Sequence, residues 1–499
     1  MRRRLALLLA AALAVPTALG ASAQAPARTT PVSAKIERRL TGAGDLGAFV
    51  SFRHPVGAAE VARLAKLGVV KMHAFKLVPT IAVVAPLATL ERIARWSDVT
   101  RIHKNDPIVF HTDKSKHATR VDQVRAAKPK GLGLTGKGVT VAVIDSGIDV
   151  THQDFDGQVK KMLNFEGSWV YDNPADGRFT DRAAENTGQW AGVDEHGHGT
   201  HTAGTVLGTG VSSLDDTDYS GMAPGAKLVV AKIAGTHQGS VYDIGYEINC
   251  MLAIEYLAEH PELGVKIVSN SWGVYETEPA TEPIILMINA AVKRGLTFVF
   301  SAGNSGPGDE TVGWPGAMGK VITVGSTQKE AADGDYAMSS FSSRGYQVDI
   351  AAPGSDIYAP RGRTQFSTGP EDLLLSVPEA GANGAFYMAI SGTSMSAPHI
   401  SGIAALMFQA NRKLTPQLVE EILERTSVDL GDRGKDHDYG YGFVDAYKAT
   451  RVASCLAGTA AKYRERCFTK YQALSAKRWR SDFSDLGDGS KTGQGSDLI

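Results

Sequence analysis

Apolar positions follow two different patterns along the chain. Over residues 44–110 they come in short alternating blocks. "GAFVSF" reads as a strand, 57–67 repeats its apolar residues at helical spacing, and "KLVPTIAVVAP" returns to a strand. "LATLERIARW" is a second amphipathic helix and "VTRIHK" a closing strand. This βαββαβ-like order predicts a small α+β, ferredoxin-like domain ending near Phe110. "HTDKSKHATR" then mixes basic and acidic residues and reads as an exposed linker. Beyond it, "VTVAVID", "KLVVAKI", "VKIVSNS", "LTFVFSAG" and "VITVGS" are almost continuously apolar, with helical stretches between them. Strands without a polar face must be covered on both sides, so this part predicts a doubly wound, mostly parallel α/β sheet with helices on both faces. In such sheets the working residues gather at the carboxyl ends of strands. After Asp445 the chain grows polar and closes on "SDLGDGSKTGQGSD", which predicts disorder at that end.

The first residues change the picture. Arg2, Arg3 and Arg4 precede an apolar run from Leu5 to Leu19, and Ala21-Ser22-Ala23 offers small side chains for cleavage. Together they predict a secretory signal peptide over 1–23, too short to anchor in a bilayer, with a linker over 24–43. An exported protein is expected, extracellular, or periplasmic in a host with an outer membrane. Export permits disulfides, and leaves pairing open to Cys455 and Cys467 in the tail. Cys250, on the apolar pattern "INCMLAIEYLA", reads as a buried free thiol.

Charge is balanced, with 52 Lys+Arg against 53 Asp+Glu, so nothing points to nucleic acid. The balance is uneven along the chain. Residues 24–117 hold 15 Lys+Arg against 7 Asp+Glu, a net of +8, whereas residues 118–499 hold 34 against 46, a net of −12.

Three places carry chemistry. Asp145 ends the apolar strand "VTVAVID", where a carboxylate is costly unless it is paired. "DEHGHGTHTAG" concentrates His196, His198 and His201, which leaves metal chemistry and proton chemistry both open. Ser394, in "SGTSMSAPHISGIAALMFQ", opens a long apolar helix whose free N–H groups favour a developing oxyanion. A strand-end aspartate, a helix-start histidine and a helix-start serine read as an orienter, base and nucleophile set.

"VIDSGID", "HGHGTHTAG" and "SGTSMSAPH" resemble the three signature blocks of the subtilisin-like serine proteases, over roughly Arg120 to Ala449. The resemblance implies a secreted endopeptidase in which Ser394 attacks, His198 moves the proton and Asp145 orients the imidazole. His201 is then a buried structural histidine and His196 a loop residue. "FVFSAGNSG" matches the family's oxyanion asparagine at Asn304. "SNSWG" matches a wall of the substrate cleft, so Ser271, Trp272 and Gly273 are expected to contact an extended peptide. "GTHQGS" implies a facing edge around Gly239, and Gly313, Trp314 and Pro315 resemble the pocket floor. These walls carry no acidic residue, which argues for broad specificity over a strict preference for basic side chains.

The resemblance also implies that the segment 44–117 is an inhibitory propeptide, cut between Phe110 and Arg120, ahead of a peptidase domain over 118–450 and a polar tail over 451–499. The expected partners are polypeptide substrates and the chain's own propeptide as a cis inhibitor, with no nucleic acid, no membrane and a monomeric state. No catalytic cofactor is implied. Structural calcium is, through Asp154, which matches a calcium-binding aspartate of relatives, although Asp215, Asp216 and Asp218 stand where the usual calcium-loop sequence would be. Two long insertions depart from the family pattern, one between Asp145 and His198 and one around "RTQFSTGPEDLLLSVPEAGANG". The competing readings are a catalytically silent binding protein on the same scaffold and, through the histidine cluster, a metallohydrolase.

Overall fold

Asp45–Phe52 (β1), Ala58–Ala65 (α1), Lys71–Ala74 (β2), Thr80–Pro86 (β3), Leu87–Ala94 (α2) and Val99–Lys104 (β4) succeed one another as the apolar pattern predicts. They form an antiparallel sheet ordered β2-β3-β1-β4, the split βαβ arrangement. One face buries Val50, Ile81 and Val83 under Leu64, Leu90 and Ile93 of the two helices. Each such side chain contributes about 1.5–3 kcal/mol when fully buried. The other face presents Phe49 and Ala82, which join Phe75 and Val78 in a cluster built mainly by the large domain. Part of the expected linker belongs here too, since Ile36 bridges Ile102 and both Ile36 and Leu40 are buried.

The computed structural model describes residues 35–37, 40–41, 44–69, 71–105, 107–110, 118–128, 131–165, 192–214, 217–235, 245–274, 283–329, 336–362 and 386–472. The expected signal peptide, the segment 111–117, the two insertions, Gly239, Asp215, Asp216 and the residues beyond 472 lie outside these. Among the described residues no helix is long and apolar enough to cross a membrane.

The large domain follows Pro107–Phe110 (β5) and Val121–Arg125 (α3). Its first half contains Thr140–Asp145 (β6), Val159–Asn164 (β7), His198–Leu207 (α4), Lys227–Lys232 (β8), Gly245–Tyr246 (β9), Glu247–Glu259 (α5) and Val265–Asn270 (β10). Trp272–Gly273 (β11), Pro283–Lys293 (α6), Thr297–Ser301 (β12), Ile322–Thr327 (β13), Ile350–Pro353 (β14), Ile357–Pro360 (β15) and Tyr387–Ile390 (β16) follow. Thr393–Ala410 (α7), Pro416–Thr426 (α8), Ala446–Ala457 (α9) and Arg464–Gln472 (α10) close it.

Seven strands build one parallel sheet, in the order β14-β13-β12-β10-β6-β8-β7. The continuous apolar runs have the reason anticipated for them. Val141 and Val143 face a core that contains residues of α4 and α7, while Ala142 and Ile144 face the other core, under α5 and α6. Asp145 therefore emerges at the carboxyl edge of an inner strand, flanked by the ends of β10 and β8.

The packed structure runs past the boundary expected at residue 450. That position falls inside α9, and α10 buries Cys467, Phe468 and Tyr471 against the rest of the domain. Cys455 and Cys467 form a disulfide, and Arg425 stacks over Phe468 at 3.7 Å. Cys250 is buried and free.

Candidate active site

Three elements bring Asp145, His198 and Ser394 to one edge of the sheet. Asp145 ends β6, His198 opens α4, and Ser394 is the second residue of α7. His198 Nδ1 bonds Asp145 Oδ1 at 2.7 Å. The same carboxylate accepts from Ser146 N at 2.7 Å and, on its other oxygen, from Thr202 Oγ1 at 3.2 Å. These bonds fix the imidazole and satisfy the buried carboxylate. Gly199 makes the approach of α4 to β6 feasible: a Cβ there would lie 2.2 Å from the Gly147 carbonyl. Gly197, at φ 95°, lets the chain turn into the helix at His198.

Ser394 is buried at the N-terminus of an 18-residue helix, where the helix dipole favours negative charge. Its hydroxyl donates to the Ser271 carbonyl at 3.1 Å, and Ser271 Oγ donates back to the Ser394 carbonyl at 2.7 Å. Asn304 stands in the loop after β12. Its Oδ1 accepts from Thr393 N and Thr393 Oγ1, both at 3.0 Å, which turns the amide so that its NH₂ is the group left to donate.

The other two histidines of the cluster do different things. His201 is fully buried, and its Nε2–H is shared between the carbonyls of Ile357 at 2.9 Å and Met388 at 3.2 Å. Burial pushes its pKa down to about 3, so it is neutral. His196 lies in the loop before α4, with its backbone N–H bonded to Asp194.

Asp194 is a residue that the sequence reading missed. Its carboxylate, completely buried, accepts from Ser146 Oγ, His196 N and Gly197 N on one oxygen and from Thr200 N and Thr200 Oγ1 on the other, all at 2.6–3.0 Å. Burial opposes its ionisation, but the Thr200 bonds, the Lys232 ammonium and the Gly197 N–H hold its pKa below the ordinary carboxylate value. Lys232, itself buried, donates to the Ser146 carbonyl at 3.0 Å and pairs with Glu195. The residue after Asp145 and the turn before His198 are thus held by one network.

Beside this site β5 lies as a strand between two short edges. Phe110 pairs with Trp272 and Val109 with Gly273 on one side, while Ile108 pairs with Gly245 and Pro107 with Tyr246 on the other. Of the three residues expected to contact a substrate, Trp272 and Gly273 pair with this strand and Ser271 bonds Ser394, while the strand's other neighbour is β9. Trp314 exchanges backbone bonds with Val274 at 2.7 and 2.8 Å, and Gly313 N donates to the Ala302 carbonyl at 3.0 Å. These bonds join the segments 272–274 and 313–315 to each other and to the loop that carries Asn304.

Asp154 does not fit calcium. Its Oδ1 accepts from Ser212 N at 3.0 Å and Tyr387 Oη at 2.9 Å, and its Oδ2 from Gly210 N at 2.9 Å and Tyr387 Oη at 3.1 Å. Calcium binds where roughly six to eight oxygens converge, whereas here hydrogens face the carboxylate. The expectation of a calcium ligand at Asp154 is corrected on that ground. Of the neighbouring acids, Asp218 is spent on Ser220 N and Oγ. Two other groups of ligand-type side chains occur among the described residues, Asp309–Glu310–His437 and Asp349–Glu420–Glu424. Neither contains Asp145, His198 or Ser394; in the first His437 pairs with Asp309 at 2.7 Å, and in the second Asp349 pairs with Lys435 from outside the group at 3.0 Å.

A model of the subtilase family matches residues 136–442. Serine protease AprX of Bacillus subtilis (strain 168) is 32% identical over 405 residues, 78% of this chain and 83% of its own. The alkaline protease of Alkalihalobacillus alcalophilus is 29% identical over 431 residues, 83% of this chain and 92% of its own. Fervidolysin from Fervidobacterium pennivorans, a keratinolytic enzyme related to subtilisin, superposes with a TM-score of 0.60 over 83% of this chain and 62% of its own. Its 22% identity makes that likeness one of fold. The family match takes in more than half of the chain and includes the ends of β6, α4 and α7 from which the site is built: the chain belongs to the subtilase family and is a serine endopeptidase with a subtilisin-like α/β fold.

Proposed function

We propose that this subtilase is a secreted endopeptidase of broad specificity, made as a precursor that its own N-terminal domain inhibits. Ser394 Oγ attacks the peptide carbonyl while His198 Nε2 takes the hydroxyl proton. The Asp145 carboxylate, bonded to Nδ1, holds the imidazole in the required tautomer and stabilises the imidazolium. Asn304 Nδ2 and the Ser394 N–H receive the oxyanion. Collapse of the tetrahedral adduct returns the proton from His198 to the departing amine and leaves an acyl ester on Ser394, which water hydrolyses by the same steps in reverse order. No cofactor enters these steps, since subtilases need none for catalysis.

The observation that carries this reading is the strand pairing of β5. A segment of the chain's own N-terminal half lies antiparallel to Trp272–Gly273 and to Gly245–Tyr246, in the way an extended substrate adds to exposed edges. The small domain supports the same reading at a second contact. Glu255, on α5, accepts from Lys76 N at 2.5 Å and Leu77 N at 3.2 Å, and it pairs with His73 at 3.3 Å. Net charges of +8 and −12 in the two parts favour docking at low salt.

The test is maturation. Expressed in a strain without other proteases, the wild type should cut itself between Phe110 and Arg120, and Ser394→Ala should accumulate uncut. The isolated small domain added in trans should inhibit the mature enzyme, less tightly at high salt. A Ser394→Ala chain that matures normally ends the proposal.

A further inference from the structure

Asp154 is completely buried in the single turn Gln153–Phe155. Two separate parts of the chain converge on it. The loop after α4 supplies Gly210 N and Ser212 N to its carboxylate, and Thr209 N and Oγ1 to its backbone carbonyl at 3.1 Å each. From β16, Tyr387 Oη reaches both carboxylate oxygens. Tyr387 is itself held in place, with its ring stacked on Tyr219 at 4.3 Å and edge-on to His152 at 5.8 Å. His152 ties the same turn to the same strand: its Nδ1 accepts from Asp154 N at 3.2 Å and its Nε2 donates to the Phe386 carbonyl at 2.8 Å. The strand that begins at Tyr387 runs directly into α7, which carries Ser394.

A cation at this carboxylate would have to displace the Tyr387 hydroxyl and would still face two backbone N–H groups, whose hydrogens repel it. We propose that Tyr387 takes the place of calcium here. Its hydroxyl supplies the positive end that a divalent ion supplies at the matching aspartate of relatives, and the turn, the loop and the strand ahead of the nucleophile are joined without metal. The join is consequently insensitive to chelators. The proposal concerns stability alone, so it stands or falls independently of the peptidase reading.

The full-length chain bearing Ser394→Ala, which removes self-digestion, is melted in EDTA and in millimolar calcium. Two derivatives of it carry Tyr387→Phe and Asp154→Asn. Tyr387→Phe should lower Tm in EDTA by about 2–6 °C, the loss of one donor to a buried carboxylate. The Tm shift that calcium produces should be the same in the parent and in Asp154→Asn, because Asp154 is not a ligand. A calcium shift in the parent that disappears in Asp154→Asn overturns the proposal. So does a Tyr387→Phe chain that melts with the parent, and this milder variant decides the matter by itself should Asp154→Asn not fold.

Discussion

Replacing Asp194 with asparagine exchanges one carboxylate oxygen for an NH₂ group and leaves the shape of the side chain intact. Five donors converge on the carboxylate, two from Thr200 on one oxygen and three from Ser146, His196 and Gly197 on the other. An amide has one oxygen, so either way round its NH₂ group confronts at least two of those donors. Each lost bond to a buried charged acceptor costs about 1.5–3 kcal/mol, for a total of about 3–6 kcal/mol. That is a large share of the 5–15 kcal/mol typical of a folded domain. The pKa of Asp194 is depressed, so its contribution is present above the unfolded value, 3.8, and is lost as pH falls through the lower folded value. The gap between variant and wild type should therefore be full at neutral pH and close in acid.

Activity should suffer as well, because the same carboxylate anchors the turn into His198. A displacement of the base by about 1 Å is worth on the order of 10²-fold in kcat, with KM changed less. Denaturant unfolding in the Ser394→Ala background measures the first effect, and steady-state kinetics of the Asp194→Asn enzyme measure the second. An unfolding free energy within about 1 kcal/mol of the parent, together with an unchanged kcat, would refute the assignment of Asp194 as the anchor of this turn.

Asn304→Ala should lower kcat by roughly 10²–10³ with little change in KM, the loss that removal of this amide causes in subtilisin. A defect confined to KM would mean that Asn304 only shapes the cleft. Glu255→Ala should weaken inhibition by the small domain by about 10–100-fold, through the lost bonds to Lys76 N and Leu77 N, and leave kcat of the mature enzyme unchanged; an unaltered inhibition constant counts against that contact. Burial, reinforced by the charge of Asp349, raises the pKa of Glu420 to about 8 and that of Glu424 to about 7. Raised carboxylates stabilise the fold in acid and lose that contribution as pH climbs from about 4.5 to about 8. The double variant Glu420→Gln/Glu424→Gln should therefore melt above the wild type near pH 9 and with it near pH 4, and an equal gap at both would dismiss the effect.

Much of the scaffold could be read from local pattern. The small domain declared itself because its spacing switches between strand and helix four times within one compact stretch. The parallel sheet did so because Val141 to Ile144 are apolar on both faces, which only double coverage explains. Asp145, His198 and Ser394 stood out as polar residues at the starts and ends of apolar elements. What escaped depends on partners far away in sequence. Asp194 looks like a turn former in a glycine-rich loop, and nothing local shows five donors aimed at it. Asp154 has the position of a calcium ligand, but the residue that closes it, Tyr387, is 233 positions away. The edges β9 and β11 are two residues each, too short to leave a period. Helix α10 was read as polar tail because Arg464, Glu465 and Arg466 outweigh its small buried face of Cys467, Phe468 and Tyr471.

The central claim is that Ser394 is the nucleophile, activated by His198 and Asp145. Mature wild-type enzyme is treated with a fluorophosphonate, digested and mapped by mass spectrometry, with residual peptide hydrolysis followed in parallel. The account predicts one adduct, on Ser394, with a rate of labelling that rises as His198 loses its proton and with activity lost in step with labelling. An adduct on another serine, or full hydrolysis by a protein that takes no label, would contradict it.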